Sequence, residues 1–258
     1  IAIEVKIVNQ LPRLPRNARP LFITYHPQDK KENWRLMEDS DALIYISRLY
    51  KKEQIAFVNK ELDKATAFLL PKENKNFVWD PIDLVYDFLQ VLLISYFAKK
   101  KKGIFVHALG IKDIDGRGLL FAGESGGGKS TSARFWYRHT RAKVLNDDRV
   151  IVTKQNGKFL MHPSPWHGDF RDYLSCYASA ASLDKLFYIH HAPRNKVRRV
   201  SVQEAFHLLY PLVFPTFWDQ DSLVNIVSFC QELVRKVGCF QFGFVKNKNA
   251  IGFARRIK

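Results

Sequence analysis

A glycine-rich loop between an apolar run and a helix pattern constrains this chain more than any other feature. Residues 123–130 have the sequence GESGGGKS, which satisfies the G-x-x-x-x-G-K-[ST] template for phosphate binding. The run Leu119–Ala122 predicts a strand before the loop, and Ser130–His139 predicts a helix after it. Glycine adopts backbone angles closed to other residues, so consecutive N–H groups can turn toward phosphate oxygens. The pattern therefore predicts an α/β fold that binds a nucleotide.

The residue types in this loop predict ATP and Mg²⁺ as its ligands. The start of the helix supplies the positive end of a dipole. Lys129 is expected to bridge the outer phosphates, and the Ser130 hydroxyl is expected to bind magnesium. The alternative is a glycine-rich turn that binds nothing. The residues predicted to contact the nucleotide are Gly123, Ser125, Gly126, Gly127, Gly128, Lys129, Ser130 and Thr131.

Composition predicts a globular protein with an acidic partner. Hydrophobic residues make up 47% of the 258 residues, which is ample for a core. Lys and Arg total 41 against 25 Asp and Glu, and the net charge of +16 favours a nucleotide, a phosphorylated metabolite, an acidic protein, nucleic acid or an anionic membrane. A solvated basic surface is the alternative. Nucleic acid is disfavoured because the sequence has no RNP-like aromatic strand, zinc finger or basic heptad helix.

The segment Pro81–Ala98 is the one run that raises the question of a membrane span. Asp83, Asp87 and Gln90 interrupt it, which leaves far fewer than the roughly 20 apolar residues that a span needs. A buried helix of a soluble protein, capped by Asp80, is predicted instead.

The cysteines predict a reducing compartment. Cys176, Cys230 and Cys239 have no CxxC spacing and are odd in number, so they are interpreted as buried apolar residues. A cytoplasmic location follows from that interpretation.

Two domains are predicted, an N-terminal β-rich module over residues 1–98 that ends in the buried helix and a catalytic domain over residues 99–258. The module is expected to be largely antiparallel, with strands Ile1–Val8, Leu21–Tyr25, Leu43–Ser47, Gln54–Val58 and Ala65–Leu70. The second domain is expected to contain strands Gly103–Ile111, Arg141–Asn146, Val150–Thr153, Lys158–Met161, Asp184–His190 and Cys239–Val245. Further helices are expected after Ser201 and after Asp219 or Asp221, and Ala192–Arg199 is interpreted as a basic connector.

Two adjacent carboxylates predict phosphate transfer at the loop. Asp147 and Asp148 follow the strand that returns after the loop helix, which suits a βαβ unit with that strand beside the loop strand. One carboxylate can then bind Mg²⁺ while the other accepts the proton of an attacking hydroxyl. The alternative is a polar strand end without function.

The region 106–150 resembles the HPr kinase/phosphorylase family. The shared features are His107 on the strand before the loop, the loop ending Gly-Lys-Ser, and Asp-Asp-Arg-Val at residues 147–150. The resemblance implies the fold of ATP-dependent phosphoenolpyruvate carboxykinase and magnesium-dependent transfer of phosphate from ATP to a serine hydroxyl. It also implies Lys129 on the phosphates, Ser130 and Asp148 on the metal, Asp147 as the favoured base, and His107 orienting or tuning that base.

Two departures from that family affect the predicted acceptor. Those kinases carry a Glu-Ile-Arg-Gly-type motif after the aspartates, whereas this chain has Pro163-Ser164-Pro165-Trp166-His167-Gly168, and its N-terminal module is shorter. The expected acceptor is therefore a hydroxyl of a peptide, a protein or a small metabolite. Trp166, His167 and Arg194 are candidate substrate contacts, against the alternatives of a packed tryptophan and a solvated arginine.

Two other functions remain open from the sequence. A carboxykinase-like lyase acting on an oxo acid would need a second metal and an arginine clamp. A non-catalytic, nucleotide-binding or nucleic-acid-associated sensor would use the basic charge. The acceptor and the oligomeric state are not predicted.

Overall fold

The computed structural model describes residues 1–28, 30–47, 54–70, 81–170 and 180–257, with the backbone alone for residues 81–85. Over these ranges the protein is mixed α/β, with five α-helices and two β-sheets. It divides into two compact units, residues 1–100 with 216–220, and residues 101–215 with 221–258. Asp80 and Cys176, which carried a predicted helix cap and a predicted buried thiol, lie outside the described residues.

The first unit contains a six-stranded sheet and one long helix. Its strands, β1 to β6 in chain order, are Ala2–Ile7, Arg19–Tyr25, Glu32–Glu38, Ala42–Ser47, Gln54–Asn59 and Lys64–Leu69, and its helix α1 is Pro81–Lys99. The strand order is β1-β6-β5-β4-β3-β2, and every neighbouring pair is antiparallel except β1 with β6. The five predicted strands and their largely antiparallel pairing are confirmed.

Strand β3 is the element of this unit that the sequence did not predict. It contains Glu32, Arg35 and Glu38, which break the apolar alternation expected of a strand. These charges pair within the sheet, since Arg35 binds Glu32 at 2.5 Å and Arg19 on β2 binds Glu38 at 2.6 Å.

Aromatic side chains fill the core of the first unit. Phe88 of α1 is 1% exposed and lies 5.5 Å from Tyr45 of β4 between ring centroids. Trp218, in the returning segment 216–220, packs edge-on against Trp34 at 5.9 Å and donates a hydrogen bond to Ser95 Oγ at 3.2 Å. The predicted burial of the α1 segment is confirmed for part of the helix. Phe88, Val91, Leu92, Ile94, Ser95 and Ala98 are buried, and the other residues of 86–98 are half-buried. No helix in the described ranges is both long and apolar enough to cross a membrane.

The second unit is built on a nine-stranded mixed sheet. Its strands, β7 to β15, are Gly103–Lys112, Gly118–Ala122, Lys143–Asn146, Arg149–Gln155, Lys158–His162, Ala181–Ser182, Lys185–His191, Lys196–Arg199 and Gly238–Phe244. Its helices, α2 to α5, are Lys129–His139, Val202–Leu209, Gln220–Lys236 and Asn249–Arg256. The strand order is β12-β11-β10-β7-β8-β13-β15-β14, and β9 also pairs with β7.

The position of β9 corrects the predicted βαβ arrangement. Strand β9 pairs with β7, not with the loop strand β8, because the long strand β7 lies between them. Both β8 and β9 are antiparallel to β7, so they run in the same direction and end at the same edge of the sheet. The loop after β8 and the aspartates after β9 are therefore brought to one edge although the strands are not neighbours.

The two faces of this sheet differ in chemistry. On one face, Phe121, Phe187 and Phe240 stack in register at 5.1 and 5.5 Å and belong to a core that includes residues of α2 and α5. On the other face, the register brings Tyr188 beside both Ala122 and Gln241. The aromatic face forms the core, and the second face is available to line a cavity.

Two segments of the second unit differ from expectation. The predicted basic connector 192–199 contains strand β14, which pairs with β15 along its whole length. Val197 is the one apolar residue of β14, so the sequence shows no apolar alternation there that would predict a strand. Helix α5 was not predicted, because its eight residues are too few to show a clear helical period. The Ser201 cap is confirmed, since its Oγ accepts a hydrogen bond from the amide of Glu204 at 3.1 Å.

Candidate functional site

The glycine loop, residues 123–130, makes a tight turn between β8 and α2. The amide of Gly127 donates to the carbonyl of Glu124 at 3.0 Å, and Gly126 and Gly128 have φ angles of 77° and 98°. A Cβ at position 128 would lie 2.4 Å from Cζ of Phe244 and 2.8 Å from Cε1 of His191. Position 128 therefore requires a glycine, because of its positive φ angle and because Phe244 and His191 leave no room for a side chain.

Lys129 is folded back over the loop that precedes it. Its side chain is the first of α2 and is 6% exposed, and Nζ donates to the carbonyls of Gly123 at 2.8 Å and Glu124 at 2.9 Å. Burial lowers the pKa of Lys129, while the negative charges of Asp148 and Asp147 act in the opposite direction. The ammonium is thus placed at the base of the loop, close to two carboxylates.

A cavity of about 330 Å³ lies against this loop and gathers residues from separate parts of the second unit. Nine of the predicted site residues line it together, namely His107, Ser125, Gly126, Gly128, Lys129, Ser130, Thr131, Asp147 and Asp148. The other residues that line it are Arg134, Gly168, Asp169, His191 and Lys246. The sequence separation of these residues shows that the fold, and not a single motif, assembles the cavity.

Asp147 is bound by backbone amides of another loop. It is 1% exposed, and its two oxygens accept hydrogen bonds from the amides of Gly168 at 2.9 Å and Phe170 at 3.0 Å. A Cβ at position 168 would lie 2.8 Å from Oδ2 of Asp147, so a glycine permits this approach. These contacts give Asp147 a role in holding residues 168–170 against the cavity.

Asp148 is more accessible and is paired with His107. The His107 Nε2 lies 3.1 Å from Asp148 Oδ1, and the Asp148 side chain is 23% exposed. Burial alone would raise the pKa of Asp148, but the His107 hydrogen bond and the charges of Arg149 and Lys129 outweigh it and lower the pKa. Asp148 is therefore ionised at neutral pH. The resemblance implied that His107 acts on Asp147, but the contact that the structure shows for His107 is with Asp148.

Asn146, which the sequence analysis missed, fixes the segment that carries both aspartates. It is 0% exposed, and its Oδ1 accepts from the amides of Asp148 at 2.7 Å and Arg149 at 2.8 Å. Its Nδ2 donates to the carbonyls of Ser164 at 3.0 Å and Trp166 at 2.9 Å. The available signal was an asparagine at the end of a strand, directly before the two aspartates.

The three predicted substrate contacts are not among the described residues that line this cavity. Trp166 is 0% exposed and lies 6.0 Å from Phe105 between ring centroids, so the alternative of a packed tryptophan is correct. The Nδ1 of His167 lies 3.2 Å from the carbonyl oxygen of Gly168. Arg194 is exposed between β13 and β14. Gly168 and Asp169, next to His167, do line the cavity.

His191 is a second residue that the sequence analysis did not select. Its Nε2 lies 3.2 Å from the carbonyl of Gly126, and its ring packs on Phe244 at 5.0 Å. It ends strand β13, which is parallel to β8, so the topology brings it to the edge where the glycine loop begins. Parallel neighbours are not readable from one sequence, which is why it was missed.

Residues 73–209 match the model of the family described as "SynChlorMet cassette protein ScmC". The matched range is more than half of the chain and contains the glycine loop, His107 and both aspartates. The chain belongs to this family. The family description gives no reaction for this ScmC-family chain.

Two further comparisons add little. A search of curated proteins found no significant match. One solved structure with weak similarity to this ScmC-family chain is described as the Hpr(Ser) kinase/phosphatase from Coxiella burnetii, with a TM-score of 0.34 and 11% identity over 58% of this chain and 90% of the other. At that TM-score, membership of the HPr kinase family is not established, and the sequence resemblance remains a prediction.

Proposed function

We propose that this chain has a P-loop kinase core and transfers the γ-phosphate of ATP, with Mg²⁺, to a hydroxyl group of a peptide, a protein or a small metabolite. The proposal is carried by one observation. The glycine loop, Lys129 and the accessible carboxylate of Asp148 line the same cavity. A phosphate cradle and a proton acceptor are the two parts that transfer to a hydroxyl requires.

The phosphates would be bound by the loop and by three cations. Loop amides and the N-terminus of α2 attract negative charge. Lys129 would exchange its two carbonyl contacts for phosphate oxygens, since an ammonium group donates to either. Arg134 and Lys246 also line the cavity and add positive charge there.

The cavity also contains oxygen ligands of the kind that Mg²⁺ prefers. Within the described residues, no group of three or more His, Cys, Asp or Glu could hold a metal ion alone. Magnesium at nucleotide sites commonly takes one or two protein oxygens and completes its shell with phosphates and water. Ser130 and Asp169 suit this role. Asp169 is exposed, and its carbonyl oxygen accepts a hydrogen bond at 3.2 Å from Arg134, which lies one helical turn after Ser130 in α2. Bound magnesium would neutralise charge on the transferring phosphate.

The contacts of the two aspartates favour Asp148 as the base, in place of the Asp147 predicted from the sequence. A base must reach the acceptor hydroxyl, and Asp147 is almost fully buried with each oxygen already bonded to an amide. Asp148 is exposed to the cavity, is ionised, and is oriented by His107. It would take the hydroxyl proton as the hydroxyl oxygen attacks the γ-phosphorus and ADP leaves.

Hydrolysis of MgATP without an added acceptor tests this assignment, because water then takes the place of the acceptor hydroxyl. ADP formation by the wild type should exceed the blank, and Asp148→Asn should lower its rate about 100-fold or more at saturating magnesium. Asp169→Asn should instead raise the magnesium concentration needed for half-maximal rate. The exposed Asp115→Asn is the matched control and should change neither quantity.

Either of two results would contradict the proposal. One is a wild-type rate equal to the blank under all magnesium concentrations. The other is full activity of Asp148→Asn, which would remove this residue from the role of base.

A further inference from the structure

A second cavity, of about 480 Å³, lies on the other side of the glycine loop, within the second unit. The row Ala122, Tyr188 and Gln241 lines it from the sheet face that does not form the aromatic core. His207 and Leu208 of α3 line it as well, followed by Pro211 and Leu212 of a short 3-10 turn, Tyr210–Leu212. No residue predicted to act on substrate or metal occurs among the described residues lining this cavity, apart from the glycine loop itself.

The two cavities both border the glycine loop. Ser125, Gly126 and His191 line both of them. The first cavity is lined by Lys129 and the two aspartates, whereas the second is lined by apolar side chains together with Glu124, Gln241 and three histidines. One elongated ligand fits this pair if one end is anionic and the other end is uncharged with both apolar and polar groups, and the second volume lies in the range of small-molecule sites.

Gln241 presents a defined polar group to the second cavity. Arg198, directly opposite on β14, donates from Nε to Gln241 Oε1 at 2.9 Å. Arginine has donors only, so this contact requires the amide oxygen to face Arg198 and leaves the NH₂ group for another partner. Arg198 is in turn paired with Glu204 in the first turn of α3. The orientation of the amide is thus set by a helix that borders the same cavity.

We propose that the second cavity binds the nucleoside of the triphosphate whose phosphates occupy the first, and that the Gln241 amide NH₂ donates a hydrogen bond to an acceptor atom of the base. This assignment rests on the proposed function, because it takes the glycine loop as the phosphate site. His191 would then lie where the sugar meets the phosphates, since it lines both cavities and contacts Gly126.

Calorimetric titrations with two probes, MgATP and magnesium tripolyphosphate, separate the nucleoside from the phosphates. Gln241→Met keeps the length of the side chain but removes the amide, and should weaken MgATP binding about 10-fold. Leu208→Trp, which fills the cavity from α3, should weaken MgATP binding at least as much. Both variants should leave tripolyphosphate affinity unchanged, and the exposed Gln203→Met is the control for chemistry and location.

The outcomes distinguish this inference from the function on which it rests. If the wild type binds tripolyphosphate and MgATP, and both variants retain wild-type MgATP affinity, the nucleoside lies elsewhere and the inference is overturned while the phosphate site stands. If the wild type binds neither probe, the phosphate site itself fails and the nucleoside assignment fails with it. Loss of MgATP affinity with retained tripolyphosphate affinity supports the assignment.

Discussion

Two loops border the candidate site, and they are held in place in opposite ways. The glycine loop, residues 123–130, makes its hydrogen bonds chiefly within itself and to Lys129, although His191 and Phe244 pack against it, and residues 124–126 are exposed. The second loop, residues 163–170, is here called the anchored loop. Its Ser164, Trp166 and Phe170 are each at most 3% exposed, and side chains of the neighbouring strand end bind its backbone.

This contrast gives the two loops different roles: the glycine loop has groups that can bind a ligand, and the anchored loop supports the cavity. The glycine loop has an exposed turn whose amides can meet a ligand, so its sequence must supply glycines and a lysine locally. The backbone polar groups of the anchored loop form hydrogen bonds within the protein, to the side chains of Asn146 and Asp147. It contributes Asp169 to the cavity only because those distant residues hold it.

The largest expected effect tests the anchored loop. Asn146→Ala removes the partner of two amides and two carbonyls in a buried region, so the free energy of unfolding should fall by about 3–5 kcal/mol. Urea denaturation measures this change. Asn9→Ala, at an exposed position, is the control and should lie within about 0.5 kcal/mol of the wild type. A loss at Asn146 no larger than at Asn9 would show that the loop is held by other contacts.

A smaller effect is expected from two glycines of the other loop. Gly128→Ala meets both a left-handed φ and Phe244, and should destabilise the protein by about 2–4 kcal/mol. Gly126→Ala has a similar φ but nothing within 4 Å of its Cβ, so only about 1–2 kcal/mol is expected. Thermal unfolding of both variants gives the difference. Equal losses would mean that Phe244 and His191 do not pack against the loop.

The smallest effect concerns pH and belongs to Asp148, which lies between the loops. Its pKa is lowered in the folded protein from the ordinary value of 3.8, so its charge stabilises the fold above that value. This contribution is lost as the pH falls through the folded-state pKa. The free energy of unfolding should therefore drop more steeply below about pH 4 in the wild type than in Asp148→Asn. Identical pH profiles would contradict the pairing with His107.

Much of the fold was predictable because its patterns are local. Alternating apolar runs predicted five of the six strands of the first unit. The Asn-Gly dipeptide at residues 156–157, which favours two-residue hairpin turns, joins β10 to β11. Strand β3 and strand β14 were missed because they carry charged residues whose partners lie on adjacent strands. Glu38 of β3 pairs with Arg19 of β2, and Arg198 of β14 pairs with Gln241 of β15. Such pairing depends on sheet order, which a single sequence does not give.

The residues of the candidate site also fall into those that the sequence identified and those that it did not. The glycine loop, His107 and the aspartates were identified from sequence because their residue types and spacing carry the signal. The structure brings these residues to one cavity. Asn146, His191 and Gln241 could not be identified, because their partners come from the anchored loop, from β15 and from β14. Asp147 and Asp148 look equivalent in sequence and differ only in what the fold places against each.

We propose that the glycine loop binds a nucleoside triphosphate through Lys129, and calorimetric titration with MgATP measures this binding. The wild type should bind one equivalent, and Lys129→Met should weaken that affinity about 100-fold, because a buried charge-assisted contact is lost. The exposed Lys143→Met should bind as the wild type does. Absence of binding by the wild type, or equal affinity in Lys129→Met, would contradict the account.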